Sequence, residues 1–578
     1  MIKATIDGRE ICVEEGTTIL QAAKSAGINI PTLCYFEQLN QPGSCRVCVV
    51  ELEGTNRLVA ACSTPLEEGM VIRTNSPRVL TTRRENVELI LSQHNSTCTS
   101  CSRNTNCELQ SLAFSLGIVT HTSKTPPVAQ TWPQDSVLIR DSSKCITCQR
   151  CIQVCVNVQG TGVWALAGTG GQGGIQTAGG KTITETDCAL CGQCITHCPV
   201  GALRERDDVD KVRAALADPN KICLVQIAPA VRTAWGHSMG LSKDEATVQR
   251  MAAALRKVGF DYVFDTVFSA DLTIMEEGSE LLYRLGNAQD YSFPMFTSCC
   301  PGWVRFIKAH YPHRIAQLSS AKSPQQMFGA IAKSYWAEKQ GIDANKVFLV
   351  SIMPCLAKKH ECALENMNDV GAGQDVDVVL TTREAERLIR AAYIDVTKLC
   401  DEELDDPLGD GTGAGVIFGA TGGVMEAALR SAAYLATGEN PAPESFRNVR
   451  ENGSKPWRVS EFDLAGSKLR VAVASGLGNA KALMDALDTG EESFDFVEIM
   501  ACPGGCVGGG GQPICPGKEM AAPRADKLYQ LDAAYKLRFS HENPAVVKCY
   551  EEYLGAPLSQ KAHHLLHSDH NDWSMPHA

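Results

Sequence analysis

The feature that most restricts this chain is a doubled cysteine run. Cys145, Cys148, Cys151 and Cys155 follow the spacing C-x2-C-x2-C-x3-C, and Cys188, Cys191, Cys194 and Cys198 repeat it, with Pro199 after the last. In that spacing three cysteines of one run hold a [4Fe-4S] cluster and the fourth crosses to the neighbouring cluster. The expected ligand sets are therefore Cys145, Cys148 and Cys151 with Cys198, and Cys188, Cys191 and Cys194 with Cys155. The first run has Val156 where the second has its proline. A pair of zinc sites would not need two four-cysteine runs at one repeated spacing. The runs are separated by GTGGQGGIQTAGGK, which reads as a flexible loop or hairpin.

The chain has 26 cysteines in 578 residues, and its N-terminus lacks the basic start, apolar stretch and cleavage site of a secretory signal. A reducing compartment, the cytoplasm, is expected, with metal ligation in place of disulfides. No apolar run approaches the roughly 18 residues of a membrane helix. The net charge of -12 argues against nucleic acid or anionic lipid as partner.

Two further groups precede the doubled run. Cys34, Cys45, Cys48 and Cys62 suit a [2Fe-2S] cluster, although C-x10-C-x2-C-x13-C departs from the plant-type spacing and four thiolates also make a closed zinc site. His94, Cys98, Cys101 and Cys107 read equally as a Cys3His zinc site or a cluster. Electron tunnelling decays steeply with distance, so a chain of relays needs close spacing. Zinc, without redox chemistry, would interrupt it.

Residues 1–80 mix short strand-like runs (MIKATI, EICV, CVVELE, MVIRT) with a helical stretch near Thr17 to Ala26, the pattern of a small α+β domain. Residues 81–120 hold a helical segment near Val79 to Gln93 and the His/Cys group, and the proline-bearing stretch 121–136 reads as a linker to the doubled run in 137–210. From 220 to 540 apolar runs (ICLVQIA, YVFDTVF, FPMF, KVFLVSI, VDVVL, LRVAVAS, FDFVEI) alternate with helical periodicity, which predicts parallel βαβ units buried on both faces. Residues 541–578 form a C-terminal segment. Its last twenty residues hold five of the thirteen histidines, read as a solvated, frayed tail.

Three segments of the βαβ region carry the remaining chemistry: TSCCPGW at 297–303, MPCLAKKHE at 353–361 and EIMACPGGCVGGGGQP at 498–513. Each follows an apolar strand-like run, and ligands of open α/β folds gather at the carboxyl ends of strands. The three segments can converge on one buried site offering Cys299, Cys300, Cys355, Cys502 and Cys506. The run Gly508 to Gly511 is expected to let backbone approach a bulky cofactor.

At these segments the chain resembles the [FeFe]-hydrogenases, whose signatures TSCCPxW, MPCxxKxxE and ExMxCxxGCxxGGGQP it reproduces. The resemblance spans nearly the whole chain, as in the long clostridial-type and NADP-reducing members, with only the His-rich tail outside it. It implies a multidomain α+β and α/β fold: an N-terminal β-grasp ferredoxin-like domain, a small His/Cys cluster domain, a two-cluster bacterial ferredoxin domain and an α/β catalytic domain. It further implies reversible oxidation of dihydrogen at an H-cluster, a [4Fe-4S] cluster on Cys300, Cys355, Cys502 and Cys506 joined through Cys506 to a diiron subsite with CO, CN and azadithiolate ligands. One [2Fe-2S] and three accessory [4Fe-4S] clusters would relay electrons. Lys358 would bind a cyanide, Gln325 and Met353 would line the pocket, and Pro229 and Ala230 would add backbone, Ala230 standing where the family commonly has serine. Cys299 would exchange protons beside the distal iron, and the path would continue through Glu277, Ser319, Glu280 and a surface arginine, Arg284. Glu277, Glu280 and Arg284 stand at helical spacings of three and four; by themselves they read as a solvated, salt-bridged face.

Ferredoxin or flavin-containing NAD(P)-linked subunits are the implied electron partners, with maturation proteins to build the cofactor. No convincing G-x-G-x-x-G follows a strand, and Gly476-x-Gly478 is too short a match to support a nucleotide site. Competing expectations are a hydrogen sensor or iron-sulfur assembly protein of related fold, and an electron-input arm of a larger dehydrogenase. Cys12, Cys223, Cys362, Cys400, Cys515 and Cys549 have no assigned role and are expected to pack in apolar surroundings.

Overall fold

The computed structural model describes residues 1–119, 130–168, 173–409, 411–450, 455–464 and 466–576. Strands β1 (Ile2–Ile6), β2 (Arg9–Val13), β3 (Val49–Leu52), β4 (Arg57–Ala60) and β5 (Val71–Arg73) form one sheet in the order β2-β1-β5-β3-β4. β1 and β5 are parallel, and the other neighbours are antiparallel. The helix Ile19–Ser25 starts where the Thr18 and Gln21 side chains satisfy each other's backbone amides, and it buries Ile19, Leu20, Ala22 and Ala23 on the sheet. β4 was not legible in the sequence because RLVA carries a charge and buries only Ala60. A second helix, Pro77–Ser92, is capped by the Ser76 hydroxyl and buries the stripe Val79, Arg83, Val87 and Leu91, four residues apart.

The doubled cysteine run sits between short strands β6 (Leu138–Arg140), β7 (Trp164–Ala167), β8 (Gly174–Thr177) and β9 (Leu203–Glu205). β6 pairs antiparallel with β9. β7 and β8 form the hairpin of the glycine-rich insert, whose residues 169–172 lie outside the described residues. Of the stretch read as a linker, 121–129 also lie outside them, while Trp132 packs against Trp164 and its indole donates to the Leu138 carbonyl at 2.7 Å.

The largest region contains two four-stranded sheets. β10 (Ile222–Ile227), β11 (Tyr262–Asp265), β13 (Val347–Met353) and β14 (Val378–Thr381) are parallel in the order β11-β10-β13-β14. β12 (Met295–Phe296), β15 (Arg458–Leu464), β16 (Ser467–Ser475) and β17 (Phe496–Met500) follow the order β12-β17-β16-β15. The expectation of purely parallel sheets is corrected here, because β15 runs antiparallel to β16. RVSEFDL alternates exposed and half-buried residues, the pattern of an edge strand with one wet face, and so lacks the apolar run that marked its neighbours. The helix Val267–Gly286 packs against both Pro324–Ile331 and Gly423–Thr437 and is buried along most of its length.

The carboxyl-terminal segment is not frayed. Helix Gln560–Leu566 inserts Ala562, Leu565 and Leu566 into the core of the first sheet, and His567 is only 4% exposed. The Lys308 ammonium lies over the Trp573 ring and donates to the carbonyls of His570 and Trp573. Histidine-rich composition concealed a regular apolar stripe.

The ferredoxin-like region is joined tightly to the sheets. Gln193 donates to the Gly508 carbonyl at 2.8 Å and Arg305 to the Cys188 carbonyl at 2.9 Å. A Cβ on Gly510 would sit 2.3 Å from the Cys191 carbonyl oxygen and 2.5 Å from Gly192 Cα. The glycine run therefore serves close approach to protein backbone; Gly509 likewise faces the Pro354 carbonyl, where a Cβ would stand at 2.1 Å. Gly510→Ala is expected to cost about 1–3 kcal/mol by overpacking this joint, measured as a lowered midpoint in denaturant unfolding beside the exposed control Gly490→Ala, where no atom lies within 4 Å of a Cβ but φ is +73°.

Candidate active site and metal centres

Three strand ends converge. Residues 297–300 follow β12, Met353 closes β13 and Met500 closes β17, so the three cysteine segments leave two sheets toward one space. That space is a cavity of about 70 Å³, several times the ~10–15 Å³ that a single water needs. Its walls include Cys299, Cys300, Cys355, Cys506, Lys358 and Gln325, together with Pro229, Ala230 and Met353. Cys502 is not in the wall, but its buried thiol is pushed well up by burial and by the charges of Cys191, Cys355, Cys300 and Cys506. Burial first, then Cys300, pushes Cys355 up to about 12. Thiols shut away like this lose their protons readily only to a metal.

Lys358 lies on the short helix Ala357–Glu361 and donates to Glu361 at 2.9 Å and to the Cys299 carbonyl at 3.1 Å. Glu361 also accepts from Ser323 and Gln325, so a buried carboxylate anchors the cavity's only cationic wall residue. The Gln325 side-chain oxygen, Oε1, has no hydrogen-bond partner. Glu361, the last letter of its motif, had drawn no role in the sequence; its position one helical turn after Lys358 was the available signal. Glu498 was missed as well. It is fully buried, accepts from the Gly422 and Met425 amides at 2.7 Å each, and thereby fixes the start of the helix Gly423–Thr437.

Glu277, Glu280 and Arg284 share the helix Val267–Gly286, and all three are buried, contrary to a solvated face. The Ser319 hydroxyl donates to Glu280 at 2.6 Å, and Arg284 donates to the other Glu280 oxygen at 2.6 Å. Arg284 is itself 6% exposed, against the expectation of a surface residue, and lies over the ring of Tyr291. Neither Glu277 oxygen makes a hydrogen bond of normal geometry. Burial, then the Glu280 charge, raises Glu277 to about 8, with the Ser298 backbone and the Ser319 hydroxyl near enough to temper the effect. The Cys299 thiol is pushed well up by burial and then by Glu277.

Among the described residues no three His, Cys, Asp or Glu side chains close around a single-ion position. The cysteine groups show instead as shared cavity walls and mutual charge effects. Cys145, Cys148, Cys151 and Cys198 line one cavity. Burial first, then neighbouring thiols that include Cys188 and Cys155, raises Cys191 and Cys194. Cys34, Cys48 and Cys62 are buried, and the Cys34 amide donates to Cys45 sulfur at 3.4 Å. His94 Nδ1 meets the Lys144 carbonyl at 3.0 Å, a contact that places the ring proton on Nδ1 and the lone pair on Nε2. Cys101 sits where a Gly201 Cβ would be 2.4 Å from its sulfur, and Cys107 sulfur is 3.7 Å from the Pro199 carbonyl. Beside them the buried Arg103 keeps both terminal nitrogens without partners. Of the unassigned cysteines, Cys223, Cys362 and Cys549 are buried as expected; Cys12 and Cys400 are exposed, and Cys515 is half-buried 3.4 Å from His237.

Comparison with known proteins places several family matches along the chain. Residues 221–510 match the family described as "Iron only hydrogenase large subunit, C-terminal domain", and 518–573 match "Iron hydrogenase small subunit". The latter brings most of the His-rich tail inside the family likeness, a correction to the sequence reading. Residues 1–77 match a 2Fe-2S cluster binding domain, 83–121 the NADH-ubiquinone oxidoreductase-G iron-sulfur binding region and 181–204 a 4Fe-4S binding domain. The NADP-reducing hydrogenase subunit HndD of Solidesulfovibrio fructosivorans is 47% identical over 98% of both chains. Iron hydrogenase 1 of Clostridium pasteurianum is 40% identical, over 97% of this chain and 98% of that one. The structure of apo [FeFe]-hydrogenase HydA1 from Chlamydomonas reinhardtii, 42% identical, covers 64% of this chain and all of its own with a TM-score of 0.57. The chain belongs to the [FeFe]-hydrogenase family, oxidoreductases acting on hydrogen, and carries accessory iron-sulfur domains before its catalytic domain. Among the described residues no helix is long and apolar enough to cross a membrane.

The raised Glu277 has a stability consequence. Its ordinary value is 4.5 and its folded value about 8, so folding binds a proton across that interval and the parent loses stability as pH rises through it. Glu277→Gln, which cannot ionise, is expected to gain stability relative to the parent between pH 5 and pH 8.5, measured by denaturant unfolding at both values.

Proposed function

We propose that Cys300, Cys355, Cys502 and Cys506 would hold the [4Fe-4S] part of an H-cluster, with Cys506 on the side of its diiron subsite. The observation that carries this is the single cavity walled by Cys300, Cys355 and Cys506 with Cys299 and Lys358. The residues fit the group: buried thiols, a fixed ammonium for a cyanide and the partnerless Gln325 oxygen. When bound, the diiron subsite supplies an open iron at which dihydrogen is split or formed. Pro229, Ala230 and Met353 contribute apolar wall that excludes water.

The proton route would start at Cys299, whose thiol, held protonated by burial, carries its proton next to Glu277. Glu277 receives it and, with a value near 8, can hold or release it close to neutral pH. The Ser319 hydroxyl passes it to Glu280, and Arg284 orients that carboxylate from the far side.

The electron route uses the crossed pair of [4Fe-4S] clusters assigned above, a third on His94, Cys98, Cys101 and Cys107, and a [2Fe-2S] cluster on Cys34, Cys45, Cys48 and Cys62 in a β-grasp domain. Nearest the H-cluster is the set containing Cys191, whose carbonyl lies 3.7 Å from Cys502 sulfur. Two inputs meet at the other end. Arg150 donates to the carbonyls of Leu33, Cys34 and Tyr35 and forms an ion pair with Glu108, while Asn40 joins the carbonyls of Cys34 and Cys148. The likeness to an NADP-reducing subunit favours a flavin-containing NAD(P)-linked partner. Ferredoxin is the second reading, favoured by the clostridial relative, and maturation proteins are required in either case.

Matured protein is expected to evolve hydrogen from reduced methyl viologen, and Cys299→Ser to lower that rate at least ~100-fold, the usual worth of a positioned acid. An inactive parent whose infrared spectrum shows bound carbonyl and cyanide would instead identify a sensor. Arg103→Leu is expected to lower the reduction potential of a cluster beside Cys107 and Cys198, because a buried positive charge is removed; spectroscopic redox titration reads the shift.

A further inference from the structure

The carboxyl-terminal segment touches the residues of the proton route. Residues 318–322 form an extended stretch with β12 on one side, where the Ser319 amide donates to the Phe296 carbonyl at 2.8 Å. On the other side lies the tail: Ala321 bridges antiparallel to His567, the Lys322 amide donates to the Leu566 carbonyl at 2.8 Å and the Ser568 amide to the Ser320 carbonyl at 2.9 Å. Two histidines then reach across. His570 Nε2 donates to the Ser319 carbonyl at 2.7 Å, its ring kept neutral by burial. His567 Nδ1 stands 2.8 Å from the Ser320 hydroxyl. The Ser320 amide donates to Glu280 at 3.2 Å, and the Ser320 hydroxyl, whose one proton goes to the nearer His567 Nδ1, lies 3.2 Å from the same carboxylate.

His567 is fixed from behind. Its Nε2 meets Glu276 at 3.0 Å, and the fully buried Glu276 also accepts from the Tyr550 hydroxyl and the Leu558 amide. With Nε2–H directed at a carboxylate, Nδ1 is left to accept from Ser320. Glu276 precedes Glu277 on the same helix, so one helix carries both the anchor of the clamp and the first carboxyl of the route.

We propose that His567 and His570 are positioning residues that clamp Ser319 and Ser320 against Glu280, making the last seventeen described residues a working part of the proton route. The inference rests on the reading of Glu277, Ser319 and Glu280 as that route. Without the two imidazoles the 318–322 stretch keeps its backbone bonds to β12 and to residues 566–568, but the Ser319 carbonyl and the Ser320 hydroxyl lose the partners that fix them, and the Ser319 hydroxyl loses its fixed place between the two carboxyls. A displacement of about 1 Å in such a relay can cost up to ~100-fold in rate.

The test uses the full matured chain. Asparagine places an amide near the Nδ1 position and glutamine near the Nε2 position, so the two substitutions separate the contact with Ser320 from the contact with Glu276. His567→Phe is expected to slow hydrogen evolution about tenfold or more, to enlarge the solvent deuterium isotope effect and to speed amide exchange in 318–322, with cluster spectra unchanged. His567→Asn should recover most of the rate and His567→Gln should not. Recovery by Gln and not by Asn would reduce His567 to an anchor for Glu276 and overturn the proposal, as would an unchanged rate in His567→Phe. If His567→Phe does not fold, the Asn and Gln pair still decides. Ser319→Ala, run alongside, tests the route itself: full activity there removes the route, whereas its loss beside unaffected His567 variants removes only the clamp.

Discussion

Sulfur kept from water resists ionisation, yet iron takes cysteine as thiolate. Much of the architecture answers that opposition. Cys188 and Cys355 are pushed up to about 11 and 12 with burial as the leading cause. Close to the thiols stand cations buried just as deeply: Arg150 at 1% exposure, Arg103 at 5% and Lys358 at 8%. A guanidinium without partners, as at the Arg103 termini, is itself unfavourable in the interior. Anionic clusters would remove both penalties together, so apoprotein and loaded protein are expected to differ in stability far more than a surface metal would cause.

Most of this was legible before any coordinates. Cysteine spacing is a local property, and it alone suggests the proposed crossed sets Cys145, Cys148, Cys151, Cys198 and Cys188, Cys191, Cys194, Cys155. Strands buried on both faces announce themselves as apolar runs, which is why β10, β13 and β17 were found and the wet-edged β15 was not. Long-range contacts leave weaker marks. The glycine run was read as room for a cofactor, but what each missing Cβ avoids is a carbonyl of Pro354, Pro503 or Cys191. Arg284 and Glu280 looked like a solvated pair because charge and helical spacing say nothing about what covers the helix. His567 and His570 stood among exposed histidines in a polar tail, and only Leu565 and Leu566 hinted that the segment turns inward.

On the proposed routes protons and electrons would leave the cavity through different neighbours. Cys299 faces the buried acids of one helix, whereas Cys502 faces the backbone of Cys191. In that proposal the split follows from chain order: the thiols at 299 and 300 are adjacent, and the first would belong to the proton side while the second would belong to the iron-holding group. Lys358 ties the two sides, since its ammonium reaches the Cys299 carbonyl and its motif contributes Cys355.

The joint between Gly510 and Cys191 is main chain against main chain, with no side chain between them. Side chains change rotamer on fast timescales, whereas packed backbone does not. A gap set in this way has a narrow spread from molecule to molecule and from moment to moment. For a transfer that weakens steeply with separation, narrow spread matters as much as a short mean, because rare close approaches otherwise dominate the average. On the proposed electron route, the joint would make the passage of each electron depend on a fixed length and leave little of it to fluctuation.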